Sequence, residues 1–241
     1  MKHGKRRARS PPVHEEEKKQ DAKEQRSVFK ALQPQRRKRL LCVRHGESVA
    51  NVGEWEAVDA FLTTRGHQQA ARAGERLRLM ELEPAPSTVF VSSPLSRALT
   101  TALQLQRSAG FDHSELIVSS GCREKPNVPS DLGRSPESLQ HDFTSLSSQL
   151  NSLPDNWCRQ SEAASDFKRR VSSMRTYLTT LEAHTIVLIV RPIFHLHLLM
   201  HCSFVLYKQQ VRSYHLQGHY TFLAHLTDRH MSNGEIHELE I

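Results

Sequence analysis

Cysteine is scarce in this chain: Cys42, Cys122, Cys158 and Cys202 are its four, far apart and without a CxxC spacing. Reduced thiols of a cytoplasmic protein account for that usage better than a disulfide framework or a cysteine-built zinc site. An apolar segment behind the N-terminal charges is also lacking, so a secretory signal is not expected. No long apolar run is free of interruption. The longest, 185–207, contains Arg191, Pro192, His195, His197 and His201, and charge at mid-span opposes insertion, so no transmembrane segment is expected. No internal repeat is visible.

What the chain has in excess is positive charge, and it is unevenly placed. Residues 1–39 hold 14 Lys and Arg against 5 Asp and Glu, a net of +9, whereas residues 40–241 hold 19 against 21, a net of −2. The first segment has few apolar side chains and cannot offset its own ordering entropy, so 1–39 is expected to be a disordered basic arm. Its clusters suit nuclear import, RNA or an anionic membrane surface, or serve only as a solvated linker. The near-neutral remainder, 40–241, is long enough for one sizeable core.

That remainder alternates between strand-like and helix-like stretches. Short apolar runs at 40–43, 88–91, 116–118 and 185–190 predict buried strands. Thr63 or Thr64 caps a predicted helix reaching to about Met80. Ser93 and Pro94 predict a helix start, serine at the N-cap and proline at the first position. Phe167, Val171, Met174, Leu178 and Leu181 follow helical spacing and predict an amphipathic helix over 162–183. Residues 125–160, rich in Pro, Ser, Gly and Asn, predict a long excursion over the site with short helical pieces. A hairpin is expected from 219–226 and 235–241 around Asn233-Gly234. The expected fold class is α/β: a three-layer α/β/α sandwich around a mostly parallel sheet.

Polar groups gather at the predicted strand ends. Arg44-His45-Gly46-Glu47-Ser48 follows the first strand, Arg97 lies early in the helix after the second, and Arg123-Glu124 follows the third. Ligands of open α/β sheets bind outside the carboxyl ends of the strands. Helix N-termini at that edge would add oriented N–H groups for phosphate. An imidazole beside guanidiniums is a plausible phosphorus-attacking nucleophile, since histidine forms covalent intermediates.

With Leu62-Thr63-Thr64-Arg65-Gly66-His67-Gln68-Gln69-Ala70, then Ser92-Ser93-Pro94-Leu95-Ser96-Arg97-Ala98, then Cys122-Arg123-Glu124 and Ser130-Asp131-Leu132-Gly133, the order of motifs resembles the histidine phosphatase superfamily, the phosphoglycerate-mutase-like phosphotransferases. The resemblance runs from about Leu40 to the C-terminus. It implies that His45 takes the phosphoryl group as a phosphohistidine. It implies that Arg44, Asn51 and Arg97 contact phosphate oxygens, the arginines through forked donors. Glu124 then matches the carboxyl that protonates the leaving oxygen and afterwards activates water, a role that partial burial under 125–160 would favour.

The chain departs from the family at one place. A second histidine is normal after the next strand; here the stretch reads Ile189-Val190-Arg191-Pro192-Ile193-Phe194. Arg191 supplies the missing positive charge, or His195 reaches back, or the chain binds phosphate groups without turning them over. The expected function is therefore hydrolysis of phosphate monoesters through His45, with a catalytically impaired pseudophosphatase as the alternative. Expected partners are a small phosphorylated substrate or a phosphoprotein, plus an anionic partner for the arm. No cofactor is implied, and no metal: His197 and His201 have chelating spacing but no matching ligand cluster. Cytoplasmic placement is expected, nuclear if the arm directs import.

Overall fold

The computed structural model describes residues 38–158, 161–190 and 232–241. Five strands form one sheet: β1 (Arg39–Arg44), β2 (Thr88–Ser92), β3 (Leu116–Val118), β4 (Thr185–Val190) and β5 (Ile236–Glu240), in the order β3-β2-β4-β1-β5. The first four are mutually parallel, and β5 lies antiparallel on β1. Three longer α-helices, α1 (Thr64–Leu79), α2 (Ser96–Ala109) and α5 (Ala164–Thr180), two short ones, α3 (Pro136–Asp142) and α4 (Ser147–Asn151), and four single-turn 3-10 helices complete the described elements.

The strands read as unbroken apolar runs because both faces of the sheet are covered. Leu41, Val43, Phe90, Val187 and Ile189 face a core shared with α1 and α2. Leu40, Cys42, Val89, Val91, Ile186 and Leu188 face a second core completed by Phe167, Val171, Met174 and Leu178 of α5. Alternate residues of one strand thus feed opposite cores, which makes three layers. Each large apolar side chain so buried contributes about 1.5–3 kcal/mol.

Three expectations change in detail. Lys38 and Arg39, expected at the end of the arm, belong to the sheet: Arg39 opens β1, and the Lys38 amide donates to the Ile241 carbonyl at 3.1 Å. The predicted Ser93 cap gives way to a later start. Helix α2 begins at Ser96, and the first-turn amide is taken by a carboxylate from another segment, Asp59 Oδ1 at 2.8 Å. The 125–160 excursion carries the expected short helical pieces, α3 and α4, and is also part of the core. Leu139, Leu146, Leu150, Leu153 and Trp157 pack into the α1–α2 side, and the Trp157 ring lies where a Cβ on Gly133 would be, within 1.9 Å.

The second half of the expected hairpin is β5, whose described partner is β1; its expected first half, 219–226, lies outside the described residues. So do residues 1–37. Among the described residues no helix is long and apolar enough to cross a membrane.

Candidate active site

Parallel pairing brings the carboxyl ends of β1, β2 and β3 to one edge of the sheet, and the residues singled out by sequence follow those ends. Arg44 is the last residue of β1 itself. Its amide donates to the Glu235 carbonyl and its carbonyl accepts from the Gly234 amide, each at 3.1 Å. His45 comes next and is 2% exposed.

The His45 ring is oriented by its own loop. Nδ1 lies 2.7 Å from the Gly46 carbonyl oxygen. A carbonyl only accepts, so Nδ1 carries the hydrogen, and in the neutral ring Nε2 holds the lone pair. Gly46 is then required by its neighbours. A Cβ there would sit 2.3 Å from the Gly66 oxygen, and a Cβ on Gly66 would sit 2.0 Å from the Glu47 oxygen. The two backbones touch, and only two glycines permit that.

The Thr63–Ala70 motif serves this same loop. Thr63 Oγ1 accepts from the Gly66 amide at 3.0 Å and donates to Glu47 Oε1 at 2.9 Å, and its amide donates to the Glu47 carbonyl at 2.9 Å. Gln69 Oε1 accepts the Glu47 amide at 2.8 Å. Of the two threonines, Thr63 is the cap. On the other side, the Gly46 amide donates to Thr101 Oγ1 at 3.1 Å, and that hydroxyl donates to the Arg97 carbonyl at 2.7 Å. The His45 loop and the Arg97 turn of α2 are thereby tied together.

Asn51 ends this loop as an exposed residue in the short helix Val49–Val52. Its Oδ1 accepts the Ser48 amide at 3.0 Å, which leaves the amide nitrogen as its donor. Asn233, read from sequence only as a turn residue, donates to the His45 carbonyl at 3.0 Å.

Arg97 is buried and engaged. Nη1 donates to the Ser130 carbonyl, and Nη2 meets Asp131 Oδ1 at 3.0 Å. The expected helix N-terminus for phosphate is occupied as well. Asp59, fully buried, takes the Ser96 amide and accepts from Ser96 Oγ at 2.5 Å. Arg134 balances that carboxylate at 2.9 Å and reaches Asp142 at 2.8 Å. A helix end already holding a carboxylate does not attract a second anion.

Glu124 is 2% exposed, and its Oε1 accepts the Lys125 amide at 2.8 Å. Its segment is held from below. Arg170 of α5 donates to the Gly121 and Arg123 carbonyls at 3.0 and 2.6 Å, and both ends of its guanidinium meet Glu162, at 2.8 and 2.6 Å. Burial acts to raise the Glu162 carboxyl, but hydrogen bonding to Arg170 and the charges of Arg170, Arg123 and Lys125 hold it below its ordinary value. Beneath them, burial pushes the Cys122 thiol up to about 12, so this sulfur is packing and not a nucleophile.

Sequence reasoning missed Asp59, Asp131, Glu162 and Arg170 as site-forming residues. Each acts across at least eight positions of chain, and only the contact reveals it. Arg191, Pro192, His195, His197 and His201 lie outside the described residues. No group of three His, Cys, Asp or Glu that could hold a metal ion occurs among the described residues.

Comparison with known proteins gives a consistent picture. The family model described as histidine phosphatase superfamily (branch 1) matches residues 40–233. The 2,3-bisphosphoglycerate-dependent phosphoglycerate mutase of Corynebacterium jeikeium is 40% identical over 70 residues, which cover 26% of this chain and 24% of that protein. The match thus takes in about a quarter of that relative's length. Among solved structures, the mycobacterial glucosyl-3-phosphoglycerate phosphatase matches with a TM-score of 0.51 at 22% identity, covering 85% of this chain and 91% of that one. The ecdysone phosphate phosphatase of Bombix mori matches with 0.52 at 18% identity, covering 75% and 83%. These structural likenesses concern the fold.

Proposed function

Because the chain belongs to the histidine phosphatase superfamily, branch 1, we propose that it hydrolyses phosphate monoesters through a phosphohistidine on His45. The observation that carries this is the His45 ring, buried, with Nδ1 pinned on the Gly46 carbonyl at 2.7 Å. That contact sets the tautomer in which Nε2 can attack phosphorus.

The chemistry then runs in two displacements. Nε2 forms a bond to phosphorus as the bond to the ester oxygen breaks, and Glu124 gives its proton to that oxygen. Water next attacks phosphorus, Glu124 takes back a proton, and the bond to Nε2 breaks. Arg44, Arg97 and the Asn51 amide hold the phosphoryl oxygens, where donors matter most as charge develops. Arg191 is proposed as a further cation from the end of β4. The names of the structural neighbours, a glucosyl-3-phosphoglycerate phosphatase and an ecdysone phosphate phosphatase, support a monoester substrate. A small phosphorylated molecule is the proposed substrate; a phosphoprotein is the other candidate.

A second function is favoured by Pro192, which stands where the resemblance calls for another histidine. Loss of one such donor costs about 10²–10³ in rate. The chain would then bind phosphorylated partners without turning them over.

The test is incubation with an aryl phosphate, followed by a search for an acid-labile phosphoryl group. Turnover with an adduct, both lost in His45→Ala, is the expected result. Phosphate bound without adduct or turnover by the wild-type protein would establish the pseudophosphatase instead. Pro192→His should raise a slow rate by about two to three orders of magnitude if the missing donor limits it.

A further inference from the structure

Arg97 is the buried guanidinium on which the proposed site depends, and a carboxylate of this same chain already holds it. The Arg97 and Asp131 side chains are 3% and 1% exposed and lie 3.0 Å apart. The partner is built in. Asp131 closes the short helix Pro129–Asp131, and its second oxygen, Oδ2, accepts the Asn127 amide at 3.4 Å. The carbonyl of the preceding residue, Ser130, takes Nη1 of the same guanidinium. Each terminal nitrogen of Arg97 therefore gives one of its two N–H groups to 130–131.

A guanidinium has five N–H donors, and bidentate recognition of phosphate uses two of them in parallel. With Nη1 and Nη2 each donating to 130–131, a phosphoryl group on Arg97 shares the guanidinium with a carboxylate and lies near its negative charge. Water screens little between groups this buried. The second buried arginine of this edge is also shared, since Arg123 Nη2 lies 3.8 Å from Glu162. The site is thus less cationic than its arginine motifs imply.

We propose that Asp131 is a built-in competitor for phosphate, a specificity-determining residue that acts through Arg97 and sets how weakly the His45 site holds a phosphoryl group. This rests on the phosphoryl-transfer function proposed above. Weak retention suits a hydrolase, which must release inorganic phosphate, and disfavours a mutase, which must keep the phosphoryl group between half-reactions.

The test is D131N in the full chain, which keeps an oxygen acceptor for Nη2 and removes the charge, giving up the long 3.4 Å contact with the Asn127 amide. Inorganic phosphate is titrated by calorimetry into both proteins, with the His45 ring nitrogens followed by NMR to locate the binding. D131N should bind phosphate about tenfold tighter, the equivalent of about 1.4 kcal/mol, and KM for an aryl phosphate should fall in parallel. A residue that merely positions Arg97 would give the opposite sign or no change. Unchanged or weaker binding therefore overturns the proposal and leaves the phosphate site standing. If neither protein binds phosphate and the His45 signals do not move, the phosphate site falls and Asp131's role with it. Should D131N fail to fold by circular dichroism, the wild-type protein decides. Its Asp131 carboxyl resonance must shift on saturation with phosphate, and an unmoved signal beside a shifting His45 refutes competition.

Discussion

At the scale of single residues, the His45 loop depends on atoms that are absent. Gly46 and Gly66 lack side chains where the β1 loop meets the first turn of α1, and the built Cβ distances of 2.3 and 2.0 Å leave no room for one. The obstacles are backbone oxygens, which cannot turn aside as a flexible side chain would. Gly66→Ala should therefore destabilise the protein by about 2–3 kcal/mol through overpacking, read from urea denaturation. It should also lower aryl phosphate turnover more than the melting shift alone accounts for, because Glu47 and then His45 move with the loop. An alanine variant as stable as wild type would show that the contact is looser than drawn.

At the scale of elements, helix α5 does two things. Its apolar face fills one core, and Arg170 at its edge fastens the segment carrying Arg123 and Glu124 to Glu162. Removing Arg170 strips two carbonyls and a mostly buried carboxylate of their donor. Arg170→Met should cost about 2–3 kcal/mol at pH 7. The pH dependence has a definite sign. Glu162 is held below its ordinary value of 4.5 in the folded protein. Its contribution is then complete above the unfolded value and is lost as pH falls through the folded one. The stability gap between wild type and Arg170→Met should accordingly narrow below about pH 4.5. Parallel melting curves of the pair between pH 3 and 7 check this, and a gap that stays constant would rule out Glu162 as the partner that matters.

At the scale of the whole molecule, the charge asymmetry suggests two parts with separate work. Lys38 is tied to the sheet through the Ile241 carbonyl, so a chain beginning at Arg37 retains every described contact. We expect that chain to melt within a few degrees of the full protein and to match its aryl phosphate turnover. The basic arm should show itself only in polyanion binding, as affinity for heparin or RNA that falls steeply with salt in the full chain and is lost without residues 1–36. Equal binding by both would end the case for a tethering arm.

Much of this was legible in the amino-acid sequence, for reasons that are local. Apolar runs such as 185–190 read as strands because both sheet faces are buried, and the periodicity of Phe167, Val171, Met174 and Leu178 read as one face of α5. The motif order placed His45, Arg97 and Glu124 after successive strands, which parallel pairing carries to one edge. The α2 start was misjudged because its cap, Asp59, comes from 37 residues upstream, beyond any local capping signal. In 125–160 the short helical pieces were legible, but the core role of its leucines was not, because scattered leucines in a Pro- and Ser-rich stretch carry no periodicity.

What the sequence determined by itself is the set of chemical groups, their order along the chain and the alternation that builds the layers, since these depend on near neighbours and repeat spacing. What only tertiary structure decided is the charge that each group meets. Asp131 on Arg97, Asp59 on the α2 terminus and Glu162 on Arg170 are pairings between distant segments, and electrostatic energy depends on separation in space and on burial, neither of which is written in the chain order.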